Sequence, residues 1–176
     1  MVQAAEGQID TVFFGNPIQD ITVDDNDKTL MTKYKLELGM ACLATEEQMP
    51  IYEEAFKTEG MFLTPGGSAL NSARAQKFSN ADSSVAYFGC IGDDDFGKSL
   101  SSAVSEAGID GKFSVTTEHP TGTCAVAVVG KERTLCANIA AAKAYPLQHL
   151  QDNLVSPPSF PKKVRYSSVL FCLGCP

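Results

Sequence analysis

The stretch Thr64-Pro65-Gly66-Gly67-Ser68-Ala69-Leu70-Asn71 carries residue types that can hold hydroxyls or phosphate oxygens. Pro65 has no backbone N–H to donate and so stops a strand. Gly66 and Gly67 lack a Cβ, which permits positive φ and lets a ligand approach the backbone. Ser68 stands at or beside the N-cap of a following helix, whose first amides lack intrahelical partners and carry the positive end of the dipole. Asn71 turns an amide back toward that mouth. A second stretch, Gly15-Asn16-Pro17-Ile18-Gln19-Asp20, puts Asn16, Ile18 and Asp20 on one side of a strand. A carboxylate at Asp20 would accept hydrogen bonds from two vicinal hydroxyls. A third region frames a hairpin: Thr121-Gly122-Thr123-Cys124-Ala125, then Arg133-Thr134-Leu135-Cys136-Ala137-Asn138. Leu135, Ala137 and Ile139 alternate onto one face, as an apolar wall against a flat ring would. Arg133 is a fixed cation with a forked donor set suited to phosphate. Taken singly, each stretch has a plain alternative: a Gly-Gly turn with a capped helix, an Asn-Pro turn before a solvated Asp, and a solvated hairpin Arg.

The elements that must position these groups follow from periodicity. Residues 11–15 read as a buried strand broken by Asn16-Pro17, and 18–23 as a half-exposed strand. A short helix is expected over 28–34. A second is expected from 45 to about 57, with Thr45 and Gln48 as a capping box. Residues 61–63 form the strand entering the Gly-Gly turn and 68–78 the helix leaving it. Residues 84–91 read as a core strand and 96–107 as a helix ended by Gly108. A short strand is expected over 112–115. Residues 123–129 and 133–137 pair as the hairpin, and 138–143 starts another helix. A short helix over 147–153, a Pro-rich loop over 156–161 and an apolar strand over 168–173 complete the pattern. Strands alternating with helices predict an α/β fold with a mostly parallel sheet. The alternating strands within 18–63 and 121–137 have few covering helices. They are expected to pair as a small β-rich lid, hinged near Asn16, Gly66 and His119. A parallel strand normally has a helix returning over the sheet, so a fold whose last strand is 168–173 reads as incomplete at its C-terminus.

The totals exclude several functions. The chain has 176 residues, is 44% hydrophobic and 20% charged, and carries a net charge of -7. No basic cluster exceeds Lys162-Lys163 with Arg165, so neither nucleic acid nor an anionic membrane is an expected partner. The N-terminus is polar and acidic, unlike a signal peptide, and no apolar run approaches a membrane span. Cytoplasm is the expected compartment, with the nucleus as a second. Of the six cysteines, most sit in apolar runs, and Cys172-Leu-Gly-Cys175 has no second pair with which to hold zinc. No metal-ligating set is assigned. Asp95-Phe96-Gly97 spells the magnesium triplet of protein kinases, but neither a His-Arg-Asp loop nor a G-x-G-x-x-G accompanies it, and that reading is rejected.

Together, GNPIQD, TPGGSALNSAR, FGCIGDDDFGKSL and PTGTCAVAVVGKERTLCANIAAA resemble the adenosine kinases of the ribokinase-like (PfkB) carbohydrate kinase family, in order and spacing, over about residues 10–174. The Gly-Gly turn and the G-x-I-G-x-D-x-x-G run fit any ribokinase-like sugar kinase, whereas the Asn-Pro-x-x-Asp start and the T-G-T-C-A hairpin point to adenosine. The resemblance implies a Rossmann-like α/β domain, here 1–16, 66–118 and 138–176, with a lid of 17–65 and 119–137. It implies a monomeric enzyme when full length, using ATP and Mg²⁺ to phosphorylate the 5′-hydroxyl of adenosine to AMP in purine salvage. By residue, Asp20, Gly67 and Asn71 match the ribose-binding positions, with Asn16, Gly66 and Ser68 beside them. Ile18, Cys124, Leu135, Ala137 and Ile139 match the pocket around adenine, and Leu43 is placed there too. Arg133 matches a lid arginine near the transferred phosphate.

The chain also departs from the family. The Gly-Ala-Gly-Asp motif, which builds an anion hole and supplies the catalytic carboxylate, does not occur, and most of the ATP and magnesium site is carried in the same half of the fold. Family members place an aromatic after the strand glycine near the end, where Gly174 is here followed by Cys175 and Pro176. The expectation is therefore an N-terminal portion of an adenosine kinase, inactive and poorly soluble by itself. Two rivals stand beside it: a ribokinase-like kinase acting on inosine, ribose or fructose, and a non-catalytic product that binds nucleoside or pairs with a full-length kinase.

Overall fold

A computed structural model describes residues 9–154 and 163–166. Two sheets organise them. The first has four parallel strands in the order β6-β5-β1-β9, where β1 is Thr11–Phe14, β5 Val85–Gly92, β6 Asp110–Thr116 and β9 Lys163–Tyr166. Every residue of β5 is buried, as an interior parallel strand covered on both faces must be. On one face, α3 (Ser68–Ser79) and α4 (Asp95–Glu106) bring Leu70, Ala73, Leu100 and Val104 onto Phe13, Tyr87 and Ile91. On the other, Val12, Ala86 and Phe88 meet Tyr145 and Leu150, the latter on α5 (Leu147–Leu154).

The second sheet has five strands in the order β3-β8-β7-β2-β4: β2 is Ile18–Asp24, β3 Ala41–Leu43, β4 Phe62–Gly66, β7 Gly122–Val129 and β8 Glu132–Asn138. It is mixed, with β2 parallel to β7 and antiparallel to β4. The strand period of two splits its side chains cleanly. Ile21, Val23, Ala125 and Cys136 face the helices α1 (Thr29–Lys33) and α2 (Ile51–Lys57), where Leu30, Ile51 and Ala55 cover them. Ile18, Cys124, Val126 and Ala137 face the other way, with Leu43 and Leu135 beside them. The buried Asp25 ties α1 to the sheet by accepting from Leu30 N at 2.9 Å and Met31 N at 3.0 Å.

Several expectations change. β4 does not stop at Pro65 but runs through it to Gly66, which an outermost strand tolerates, and β2, expected half-exposed, is buried on both faces. The helix predicted from 45 to 57 divides into a 3₁₀ turn, Glu46–Gln48, and α2; the capping box at Thr45 and Gln48 forms, but Pro50 has no amide to continue the ladder. β3 is unforeseen, being too short to show alternation. Residues 138–143 form only a 3₁₀ turn, Ala140–Ala144. β9 lies at Lys163–Tyr166, before the predicted last strand. That strand at 168–173, the loop at 156–161 and the Cys172–Cys175 pair lie outside the described residues. No helix among the described residues is long and apolar enough to cross a membrane.

Candidate functional site

The face of the second sheet turned away from α1 and α2 meets the start of α3 at a cavity of about 230 Å³. Its lining includes Asn16, Ile18, Asp20, Gly67, Ser68 and Asn71 on one side, and Cys124, Arg133, Leu135 and Ala137 on the other. These residues come from two parts of the chain about a hundred positions apart, and strand pairing brings them together. In register, Thr64 on β4 stands opposite Asp20 on β2, Asp20 opposite Cys124 on β7, Cys124 opposite Ala137 on β8, and Ala137 opposite Leu43 on β3. One row of side chains therefore crosses all five strands on one face. At about 4.8 Å per strand it spans about 19 Å. It runs from a carboxylate at β2 to an apolar end at β8 and β3. Leu135 stands in the next row, opposite Val126 and Ala41.

The Gly-Gly turn is built against this row. Gly66 pairs with Ile18, and a Cβ there would strike the Asp20 carboxylate. Gly67 is the N-cap of α3 with φ 96°, and a Cβ there would strike the Asn16 carbonyl oxygen. Ser68 is thus the first helical residue and not the cap. Glycine is required at Gly67 by contact and conformation, whereas a side chain at Gly66 would force the Asp20 carboxylate to turn away. Gln19, on the opposite face of β2, donates from Nε2 to the Thr64 carbonyl at 2.9 Å and fastens β2 to the strand leading into the turn.

Asp20 is charged at a cost. Burial raises its carboxyl from the ordinary 3.8 to about 6, and the Arg133 guanidinium, an exposed group, holds it partly down. No hydrogen bond contributes to that balance. A carboxylate removed from water and not given protein donors is prepared to accept donors from a ligand. The Cys124 thiol is pushed well above its usual range, first by burial and then by the Asp20 charge, so it stays neutral and serves as a small apolar surface.

Three expected residues stand off the cavity lining. Gly66 lies under Asp20 as described. Leu43 extends the apolar face, packing with Ile18, Cys124 and Ala137. Ile139 begins the 3₁₀ turn, its carbonyl beside Gly122. A carboxylate outside the expected set, Asp94, fastens the two sheets to each other. It caps α4 by accepting from Gly97 N at 2.8 Å, and it also accepts from Thr121 N at 2.7 Å and Thr121 Oγ1 at 2.6 Å. Thr121 Oγ1 in turn accepts from Gly92 N at 2.9 Å. This knot ties the end of β5 to the start of β7, and so joins the two sheets. The acidic turn was visible in sequence, but its partner 27 residues on was not.

The profile of the pfkB family carbohydrate kinases matches residues 37–176. The adenosine kinase of Schizophyllum commune is 36% identical over 143 residues, covering 81% of this chain and 41% of that protein. The apo structure of Trypanosoma brucei brucei adenosine kinase superposes with a TM-score of 0.77 at 35% identity, covering 86% of this chain and 46% of that one. The Schistosoma mansoni enzyme in complex with adenosine, in its occluded loop conformation, gives 0.74 at 30% identity, over 81% of this chain and 41% of that one. The chain spans less than half the length of these relatives. With a ribokinase-like arrangement of two sheets, a family match over most of its length and adenosine kinases as relatives, the chain belongs to the pfkB family of carbohydrate kinases.

Proposed function

We propose that this chain is the N-terminal portion of an adenosine kinase, which transfers the γ-phosphoryl group of ATP to the 5′-hydroxyl of adenosine in cytoplasmic purine salvage. The observation that carries the reading is the cross-strand row, polar at Asp20 and apolar toward Ala137 and Leu43. A nucleoside has the same division, a hydroxyl-rich sugar joined to a flat ring. A bare sugar would leave the apolar end facing nothing.

In this reading residues 17–65 and 119–137 act as a lid over 1–16, 66–118 and 138–176. Asp20 accepts from the ribose hydroxyls, and Asn71 with the Gly66-Gly67 backbone completes the sugar site, flanked by Asn16 and Ser68. Ile18, Cys124, Leu135, Ala137, Ile139 and Leu43 form the surface for adenine. Arg133, exposed at the rim, offers its fork to the transferred phosphate. Ligand hydroxyls donating to Asp20 replace the water it lost on burial, so binding itself lowers its pKa. ATP with magnesium supplies the phosphoryl group when bound. Among the described residues no group of three or more His, Cys, Asp or Glu could hold a metal ion. Among the described residues, the Arg133 fork is suited to an ATP phosphate.

The test has two parts. Calorimetry on this chain should show adenosine binding at least about tenfold tighter than ribose, since a few kcal/mol of ring burial separate them. AMP formation from adenosine and Mg-ATP should be absent with this chain alone and present with a longer gene product that contains it. Equal affinity for ribose overturns the nucleoside reading. Sustained turnover by this chain overturns the placement of the catalytic base outside it.

A further inference from the structure

Cys42 and Cys136 occupy a place that the nucleoside reading does not use. They are register partners on the parallel strands β3 and β8. Partners on neighbouring strands have Cα atoms about 4.8 Å apart, inside the window of about 4.4–6.8 Å that a disulfide spans, and closing the bond must draw their Cβ atoms in to about 3.8 Å. Both are reduced. Both project to the helix side of the sheet, where they share one apolar cluster. The Cys42 thiol is a side-chain hydrogen-bond partner of Cys136. The Tyr52 hydroxyl closes over the pair, donating to the Cys136 carbonyl at 3.3 Å.

The two thiols differ in access. Cys136 is fully buried, and burial, with Cys42 adding to it, pushes its thiol up to about 12. Cys42 is half-buried on β3, the outermost strand of its sheet, beside the exposed Met40 and Ala41. A small oxidant therefore reaches Cys42 first. The other described cysteines are placed differently. Cys124 lies on the opposite face of the sheet, in the row with Asp20, and Cys90 is in the other sheet.

We propose that Cys42 and Cys136 form a reversible disulfide when the chain meets a hydroperoxide, stapling the edge strand β3 to β8 directly behind the cavity wall. The Cys42 thiolate attacks one peroxide oxygen, the O–O bond breaks, and the released alkoxide, or hydroxide from hydrogen peroxide, takes a proton to become an alcohol or water. Cys42 is then a sulfenic acid. The Cys136 sulfur attacks the Cys42 sulfur, the S–O bond breaks, and the Cys136 proton leaves with the hydroxyl as water. Two thiols are oxidised by two electrons in total, and one hydroperoxide is reduced. Because Leu43, Leu135 and Ala137 are the alternate residues of the same strands, the bond fixes the strand pair that carries the apolar end of the row. The inference does not depend on which ligand the cavity holds.

The experiment is peptide mapping of the native chain after stoichiometric hydrogen peroxide and alkylation. The expected product is a linkage between the peptides carrying Cys42 and Cys136, cleaved by dithiothreitol. Amide exchange in β3 should slow by about tenfold while the bond is intact, because an edge strand otherwise opens locally. In Cys136→Ser the linkage should vanish and Cys42 should accumulate as sulfenic acid, trapped by dimedone. If that variant does not fold, the map of the unsubstituted chain still decides. Full alkylation of Cys42 after peroxide has oxidised other cysteines overturns the proposal. So does a 42–136 linkage that appears only in denaturant.

Discussion

Two aspartates, one inside β2 and one just past the end of β5, received opposite treatment from the fold. Asp94, after β5 of the parallel sheet, accepts three hydrogen bonds from Gly97 and Thr121. Burial alone would raise its pKa, but the bonds from Thr121 and Gly97 outweigh burial and hold it below the ordinary range. Asp20, on β2 of the second sheet, is more deeply withdrawn and has no such bonds, and burial pushes it up to about 6. The first carboxylate is spent on joining the sheets. The second stands at a cavity with only the Arg133 field to offset its burial. Yet the three consecutive aspartates at 93–95 look richer in sequence than Asp20 does.

The largest effect should come from breaking the satisfied carboxylate. Asp94→Ala removes a helix cap and leaves the buried Thr121 without its acceptor, a loss of about 3 kcal/mol in denaturant unfolding. The sign with pH follows from the depressed pKa. Asp94 contributes stability above its unfolded value of 3.8, and the contribution is lost as pH falls through its lower folded value. A loss under about 1 kcal/mol would mean that Thr121 finds water instead.

Removing the second carboxylate should act on binding. If Asp20 takes ribose hydroxyls, charge-assisted bonds of about 1.5–3 kcal/mol are lost in Asp20→Ala, and adenosine affinity falls by roughly tenfold to a hundredfold. The wild-type affinity should itself weaken as pH drops below about 6, where Asp20 protonates. Calorimetry across pH 5–8 measures both, and unchanged affinity in a folded Asp20→Ala would return the residue to a solvated strand position.

The same group should act on stability with the reverse sign. A raised folded pKa means that the ionised form is the costly one: relative stability is full below 3.8 and declines as pH rises through about 6. Asp20→Asn should therefore stabilise the ligand-free chain by about 1–2 kcal/mol at pH 7.5 and by little at pH 3.5. Paired thermal melts at the two values test this. A variant less stable at both would show that the carboxylate has a structural partner after all.

Much of this arrangement was legible before any coordinates. Alternation over 18–23 and 123–129 marked strands with two unlike faces, and the unbroken apolar run at 84–91 marked the interior strand. The Gly-Gly turn announced a close approach, although Asp20 and the Asn16 carbonyl as the approaching groups did not. Pairing between Asp20 and Cys124 was beyond local pattern, because register across a hundred residues is set by which faces must be buried together. β3 left no signal, since three residues cannot display a period, and Leu43 could be placed only by resemblance. Pro50 was a visible break that the capping box at Thr45 and Gln48 overshadowed.

The smallest expected effect isolates the link between the two ends of the site. Arg133 is exposed, so its field on Asp20 passes partly through solvent and is screened by salt. It nonetheless opposes the burial that raises Asp20. Arg133→Ala should move the Asp20 midpoint further up from about 6 at low ionic strength, and added salt should move the wild type in the same direction. Carboxyl carbon shifts followed by NMR through pH 4–8 report the midpoint directly. An unmoved midpoint would mean that Arg133 turns away to solvent, and its proposed role toward a transferred phosphate would lose its electrostatic support. An upward movement in both experiments would place the guanidinium within reach of whatever charge the cavity binds.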